Sequence, residues 1–118
     1  MSKFINKIVN GCTLKILKKI PSKTFDLVFA DPPYNLQIGK KLKRPDNSKV
    51  YGVNDKWDQF KSFKDYDNFC KNWLTECKRV LKDNGSIWVI GSYHNIFRIG
   101  YHMQNLDYWI LNDVIWKK

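Results

Sequence analysis

The sequence has 118 residues, with 21 Lys and Arg against 11 Asp and Glu, a net charge of +10 and a pI near 9.6. That length fits one compact domain with a modest core and argues against two separate cores. No apolar run approaches the ~20 residues of a bilayer span, and the N-terminus, Met1-Ser2-Lys3-Phe4-Ile5-Asn6-Lys7, lacks a signal-peptide apolar stretch, so neither a membrane protein nor a secreted one is expected.

In chain order, Phe4 to Val9 reads as a short strand broken by Gly11. Leu14, Ile16, Leu17 and Ile20 then give a short amphipathic helix stopped by Pro21. Phe25-Asp26-Leu27-Val28-Phe29-Ala30 is nearly continuous in apolar character, the mark of a strand buried on both faces of a parallel sheet. Residues 35 to 64 show no sustained period and hold turn formers such as Gly39, Pro45, Asp46-Asn47 and Gly52. So long an irregular stretch is either functional or disordered, and its Tyr51, Trp57, Phe60 and Phe63 favour function.

From Asp65 the helical period is the strongest in the chain: Tyr66, Phe69, Cys70, Trp73, Leu74, Cys77, Val80 and Leu81 share one face, and Asp83-Asn84-Gly85 should end it. Ser86 to Gly91 reads as a second buried strand, Asn95 to Leu106 as a helix, and Tyr108 to Trp116 as a further strand. Trp73 and Trp88 are expected in the core. The order β-α-β-loop-α-β-α-β implies an α/β fold with an open, mainly parallel sheet and helices on both faces. The last strand has no closing helix and would leave an unpaired edge, so the chain reads as an N-terminal portion with an incomplete sheet.

The basic charge points to polyanionic partners, nucleic acid ahead of an anionic membrane. Cys12, Cys70 and Cys77 are odd in number and include no C-x-x-C, so neither a disulfide framework nor a zinc site is signalled, and a reducing cytoplasm is the natural compartment. His94 and His102 are eight apart with no ligand-like partners, and no metal is expected.

The chemistry concentrates at Asp31-Pro32-Pro33-Tyr34, directly after the strand 25–30. Open α/β sheets bind ligands beyond the carboxyl ends of their strands. Prolines fix φ and supply no N–H, Asp31 offers acceptor oxygens, and Tyr34 offers a stacking face. Such a set suits a planar amine. Two acceptors aimed at one –NH2 take both its hydrogens and favour a tetrahedral nitrogen, which frees a lone pair otherwise delocalised into the ring. Asp31 can also take the proton lost after attack. A nucleic-acid base held this way must leave its duplex, and stacking on Tyr34 offsets part of the unstacking cost. A capped, proline-rich turn is the structural alternative.

The segment Asp31-Pro32-Pro33-Tyr34-Asn35-Leu36-Gln37 resembles the catalytic motif of the amino-group (N-4/N-6) DNA methyltransferases. Arg44 to Lys49, Trp57-Asp58-Gln59-Phe60, Ile87 to Arg98 and Trp109 to Trp116 are similar to the cell-cycle-regulated, HinfI-like (CcrM-like) adenine branch. The similarity covers residues 4–118, taken as the catalytic portion. It implies a Rossmann-like sheet, S-adenosylmethionine as cofactor, double-stranded DNA as partner and methylation of the exocyclic amine of a flipped adenine. A homodimer and a role in restriction-modification are compatible with it, and a cytoplasmic, nucleoid-associated location follows. Asp31 and Pro32 would hold the amine, beside Pro33, and Tyr34 would stack on the base.

The sequence departs from the family in two respects. Gly11-Cys12 stands where the family has Gly-Asp, so the expected cofactor contacts, Gly11, Cys12 and Asp31, include a thiol in place of a carboxylate. The glycine-rich cofactor motif F-x-G-x-G is not found, and it is expected downstream with the target-recognition region. Lys43, Arg44, Lys49 and Trp57, with Asn35, Gln37 and Asn47, are candidate DNA contacts. His94, Asn95 and Arg98 would lie on the same edge as Asp31, with Asn95 also a candidate helix cap. The alternatives are cytosine-N4 or RNA or protein amino-methylation, and a truncated, inactive DNA-binding remnant.

Overall fold

A computed structural model of the chain describes residues 2–36, 43–49 and 55–117. Its elements are helix α1 (Thr13–Leu17), strand β1 (Phe25–Ala30), helix α2 (Phe63–Val80), strand β2 (Leu81–Val89) and helix α3 (Ile96–Asn105), with 3-10 turns at Ser2–Phe4 and Lys56–Asp58. Gln37, Lys40, Lys41 and Tyr51 fall outside the described residues.

β1 pairs with β2 in parallel, Val28 opposite Ile87, Phe29 opposite Trp88 and Ala30 opposite Val89. The pairing is irregular at its start. From Phe25↔Leu81 to Leu27↔Ser86, β2 advances five positions while β1 advances two. The turn-forming Asp83-Asn84-Gly85 sits inside that irregularity. It therefore does not separate α2 from β2, because α2 ends at Val80 and β2 begins at Leu81. Lys82 bonds Asp26 at 2.7 Å and Lys23 bonds Asp83 at 2.8 Å across this exposed end.

α2 is the centre of the core. The Ser62 hydroxyl accepts from the Asp65 amide at 3.1 Å and caps its first turn, while Lys78 and Arg79 sit in the last turn, where the helix dipole favours cations. Its apolar face buries Tyr66, Cys70, Trp73, Leu74 and Cys77 with Ile99 of α3. Leu14 and Leu17 of α1, and Val28, Ala30, Ile87 and Val89 of the sheet, pack around them. Burial pushes the thiols of Cys70 and Cys77 up to about 11, so both are neutral core groups. Arg79 closes the α1–β1 connection by donating to the carbonyls of Leu17 at 2.8 Å and Ile20 at 2.9 Å.

Four expectations are corrected among the described residues. Phe4 to Val9 and Tyr108 to Trp116 form no strand, and Ile8, Trp109 and Trp116 are exposed. Helices cover one sheet face, not both: Leu27, Phe29 and Trp88 alternate onto the other face, and Trp88 is 50% exposed rather than in the core. The α/β class, with two parallel strands, stands. No helix among the described residues is long and apolar enough to cross a membrane.

Asp67 joins α2 to α3. It accepts from Arg98 Nε at 2.8 Å and Nη2 at 2.9 Å and lies 3.0 Å from His102 Nε2. The Arg98 guanidinium holds the Asp67 carboxyl below its ordinary range. A depressed carboxylate stabilises the fold fully above its unfolded value near pH 4, and that contribution is lost as pH falls through the folded value. Asp67→Asn should therefore cost about 1 kcal/mol of unfolding free energy at neutral pH, reduced by the partial exposure of the pair, and close to nothing at about pH 2. Urea unfolding at both pH values checks this; equal costs would contradict it.

Candidate active site

Because the strands are parallel, β1 and β2 end at the same edge. The Ile90 amide donates to the Ala30 carbonyl at 2.8 Å, carrying the ladder one residue past the end of β2. The chain leaves that edge at Asp31 and again at Gly91. Asp31 is exposed, Pro32, Pro33 and Tyr34 are half-buried, and Asn35 is buried. The loop that begins at Gly91 therefore leaves from the same edge as Asp31.

The Tyr34 hydroxyl donates to Asp31 Oδ1 at 2.7 Å. Burial and the adjacent carboxylate push Tyr34 up to about 12, so the phenol stays protonated and donating at neutral pH. The two prolines differ. Tyr66 Oη donates to the Pro33 carbonyl at 2.9 Å, whereas no group among the described residues donates to the Pro32 carbonyl. Of the two, only Pro33's is thus engaged among the described residues.

Tyr66 is 1% exposed, and it is held in turn by Asn95 Nδ2, which donates to its hydroxyl at 3.0 Å. Burial raises the Tyr66 pKa, which keeps the hydroxyl neutral and able to donate. Asn95 Oδ1 accepts from the Ser92 amide at 2.8 Å. A continuous chain of hydrogen bonds thus runs from the loop after β2, through α2, to the backbone of the Asp31 segment. Asn95 is 1% exposed with its amide committed to this chain, so it is an internal strut rather than a surface contact.

A second support comes from the 3-10 turn. Asp58 accepts from the Asn35 amide at 2.7 Å and from the Leu36 amide at 2.8 Å. In the sequence, Asp58 stands out only within a resemblance and Tyr66 only as a core residue. Asp58 sits in an aperiodic segment, and no periodicity reveals a helix tyrosine's hydroxyl partner.

The remaining candidates fall into groups. Lys43, Arg44, Asn47 and Lys49 are exposed on a tight turn, where Lys43 bridges Lys49 and the Arg44 amide donates to the Ser48 carbonyl at 2.9 Å. Asn47, at φ 64°, completes the turn. Trp57 and His94 are exposed. Arg98 is paired with Asp67 and stacks 4.4 Å over Phe63, so it serves the α2–α3 contact. Gln37 lies outside the described residues. No group of His, Cys, Asp or Glu able to hold a metal occurs among the described residues.

Gly11 and Cys12 lie at the start of α1, both exposed, with Gly11 at a φ of 154° that favours glycine. No contact recorded among the described residues joins them to Asp31, and a thiol is a weak acceptor. Gly11, Cys12 and Asp31 therefore do not form a cofactor cradle among the described residues.

Tyr66→Phe removes both hydrogen bonds of the buried hydroxyl and leaves the Pro33 carbonyl and the Asn95 amide unpartnered. The expected loss is about 1–3 kcal/mol of unfolding free energy in urea. An unchanged midpoint would show that the chain of bonds contributes nothing.

The sequence matches the N6_N4_Mtase family, described as DNA methylase, over residues 25–118. It is 58% identical over 115 residues to the Type II methyltransferase M.HinfI of Haemophilus influenzae, covering 98% of this chain and 32% of that protein. It is 35% identical over 111 residues to the Type II methyltransferase M2.DpnII of Streptococcus pneumoniae, covering 94% of this chain and 41% of that protein. The chain thus spans well under half the length of these curated relatives.

Proposed function

From its membership of the N6/N4 DNA methylase family, which covers residues 25–118, we propose that this chain supplies the base-holding part of a site-specific DNA adenine methyltransferase of the HinfI-like, CcrM-like branch. The reading takes the sheet as part of a Rossmann-like methyltransferase fold. Duplex DNA is the substrate.

The observation that carries the reading is the difference between the two proline carbonyls beside Asp31. Pro33's carbonyl is bonded to Tyr66, and Pro32's has no donor among the described residues. An exposed carboxylate and a carbonyl with no donor among the described residues, on adjacent residues at the sheet's carboxyl edge, match the two hydrogens of an aryl amine. Their joint acceptance draws the nitrogen towards a tetrahedral shape and exposes its lone pair. Asp31 then takes the proton that the amine gives up. The Tyr34 ring offers the flipped adenine a stacking face and offsets part of the cost of extracting it.

S-adenosylmethionine would supply an electrophilic methyl group. Exposed Lys43, Arg44 and Lys49 suit contact with the phosphate backbone, and that contribution weakens as salt rises.

Labelled methyl transfer to duplex DNA, assayed with the whole protein, is expected to place label on adenine. Asp31→Ala should lower the rate at least 100-fold, because positioning and proton acceptance fail together. Label on cytosine, or an undiminished rate in Asp31→Ala, would overturn this function.

A further inference from the structure

We propose that Asp58 is a positioning residue of this reaction, holding the Asp31–Tyr34 segment in its working shape through two backbone amides; this rests on the methyltransferase reading above. Asp58 is 2% exposed, and no Lys or Arg among the described residues pairs with it. A carboxylate in such a place needs compensation. It receives it from the consecutive amides of Asn35 and Leu36, at 2.7 and 2.8 Å.

Two successive N–H groups converge on one anion only where the residue between their peptide planes turns the backbone sharply. Asn35 does so with φ 57°, a left-handed conformation that asparagine tolerates better than most residues. The resulting concavity is an anion-binding nest filled by the protein's own side chain.

The clamp lies one residue beyond Tyr34. Tyr34 donates to Asp31 on one side of the segment, and Tyr66 holds Pro33 in its middle. Asp58 fixes the far end, which otherwise would be free to rotate about Tyr34 and shift the Tyr34 ring from its place beside Asp31.

The clamp also joins distant parts of the sequence. Asp58 ends the stretch that contains Lys43, Arg44, Lys49 and Trp57, and Leu36 begins it.

Asp58→Asn is the discriminating variant, because its amide accepts at one atom and opposes an N–H donor with another. In single-turnover methyl transfer by the whole protein, the rate constant should fall roughly 100-fold, the cost of a misplacement of about 1 Å. The reaction amplitude and the Kd for duplex DNA should stay within about twofold of the unaltered protein. Asp58→Glu, which keeps two acceptors, should recover part of the rate. Amide exchange in Asp58→Asn should quicken at Asn35 and Leu36 while the core amides of α2 keep their protection. An unchanged rate constant, or a loss confined to the amplitude, would overturn the positioning role alone. Absence of methyl transfer by the unaltered protein would overturn the methyltransferase reading and this inference with it.

Discussion

The parallel pairing of β1 and β2 is the constraint on which the rest depends. Two parallel strands in register end together, so the chain emerges twice at one edge, at Asp31 and at Gly91. An antiparallel pair would have placed these exits at opposite ends of the sheet. The crossover between them is α2, which must cover the sheet face it spans. One helix therefore fills the core with Cys70, Trp73, Leu74 and Cys77, and also delivers Tyr66 to the edge. Core packing and site geometry are not independent here: a shift of α2 moves the hydroxyl that holds Pro33.

The edge is organised mainly through main-chain atoms. Tyr66 takes the Pro33 carbonyl, and Asp58 takes the Asn35 and Leu36 amides. Both supporting side chains are nearly inaccessible to water, where hydrogen bonds are strong and unmade ones are costly. The groups assigned to the substrate, the Asp31 carboxylate and the Pro32 carbonyl, stand between the end of β1 and these fixed points. The arrangement resembles a designed site in one respect: the groups that meet the ligand are oriented by a surrounding set of locked partners.

Much of this was legible in the sequence. The apolar run Phe25 to Ala30 marked β1 with its observed bounds, and the spacing from Tyr66 to Leu81 marked α2 and its buried face. Asp31-Pro32-Pro33-Tyr34 stood out because chemistry-bearing residues followed a strand directly. The failures share a cause. Phe4 to Val9 and Tyr108 to Trp116 have strand-like composition, yet a strand exists only through a partner, and that partner cannot be read from local pattern. Asp83-Asn84-Gly85 was read as a helix stop and instead became an irregularity inside β2. Asn95 takes the N-cap position of α3 that the sequence suggests, yet its side chain bridges Ser92 and Tyr66 instead of capping the helix or facing DNA. Asp58 carried no periodic signal, because its partners are backbone amides some 22 residues away. Side-chain contacts to distant main chain leave no mark on a local window.

The central claim is that Asp31 and the Pro32 carbonyl jointly hold the amine of an extruded adenine. A crystal structure of the whole protein bound to a duplex with its target adenine tests this most directly. The account predicts the amine nitrogen at about 3 Å from both an Asp31 carboxylate oxygen and the Pro32 carbonyl, with the Tyr34 ring against the base and Tyr66 still on Pro33. An amine held by other groups, or an adenine remaining stacked in the duplex, would contradict it.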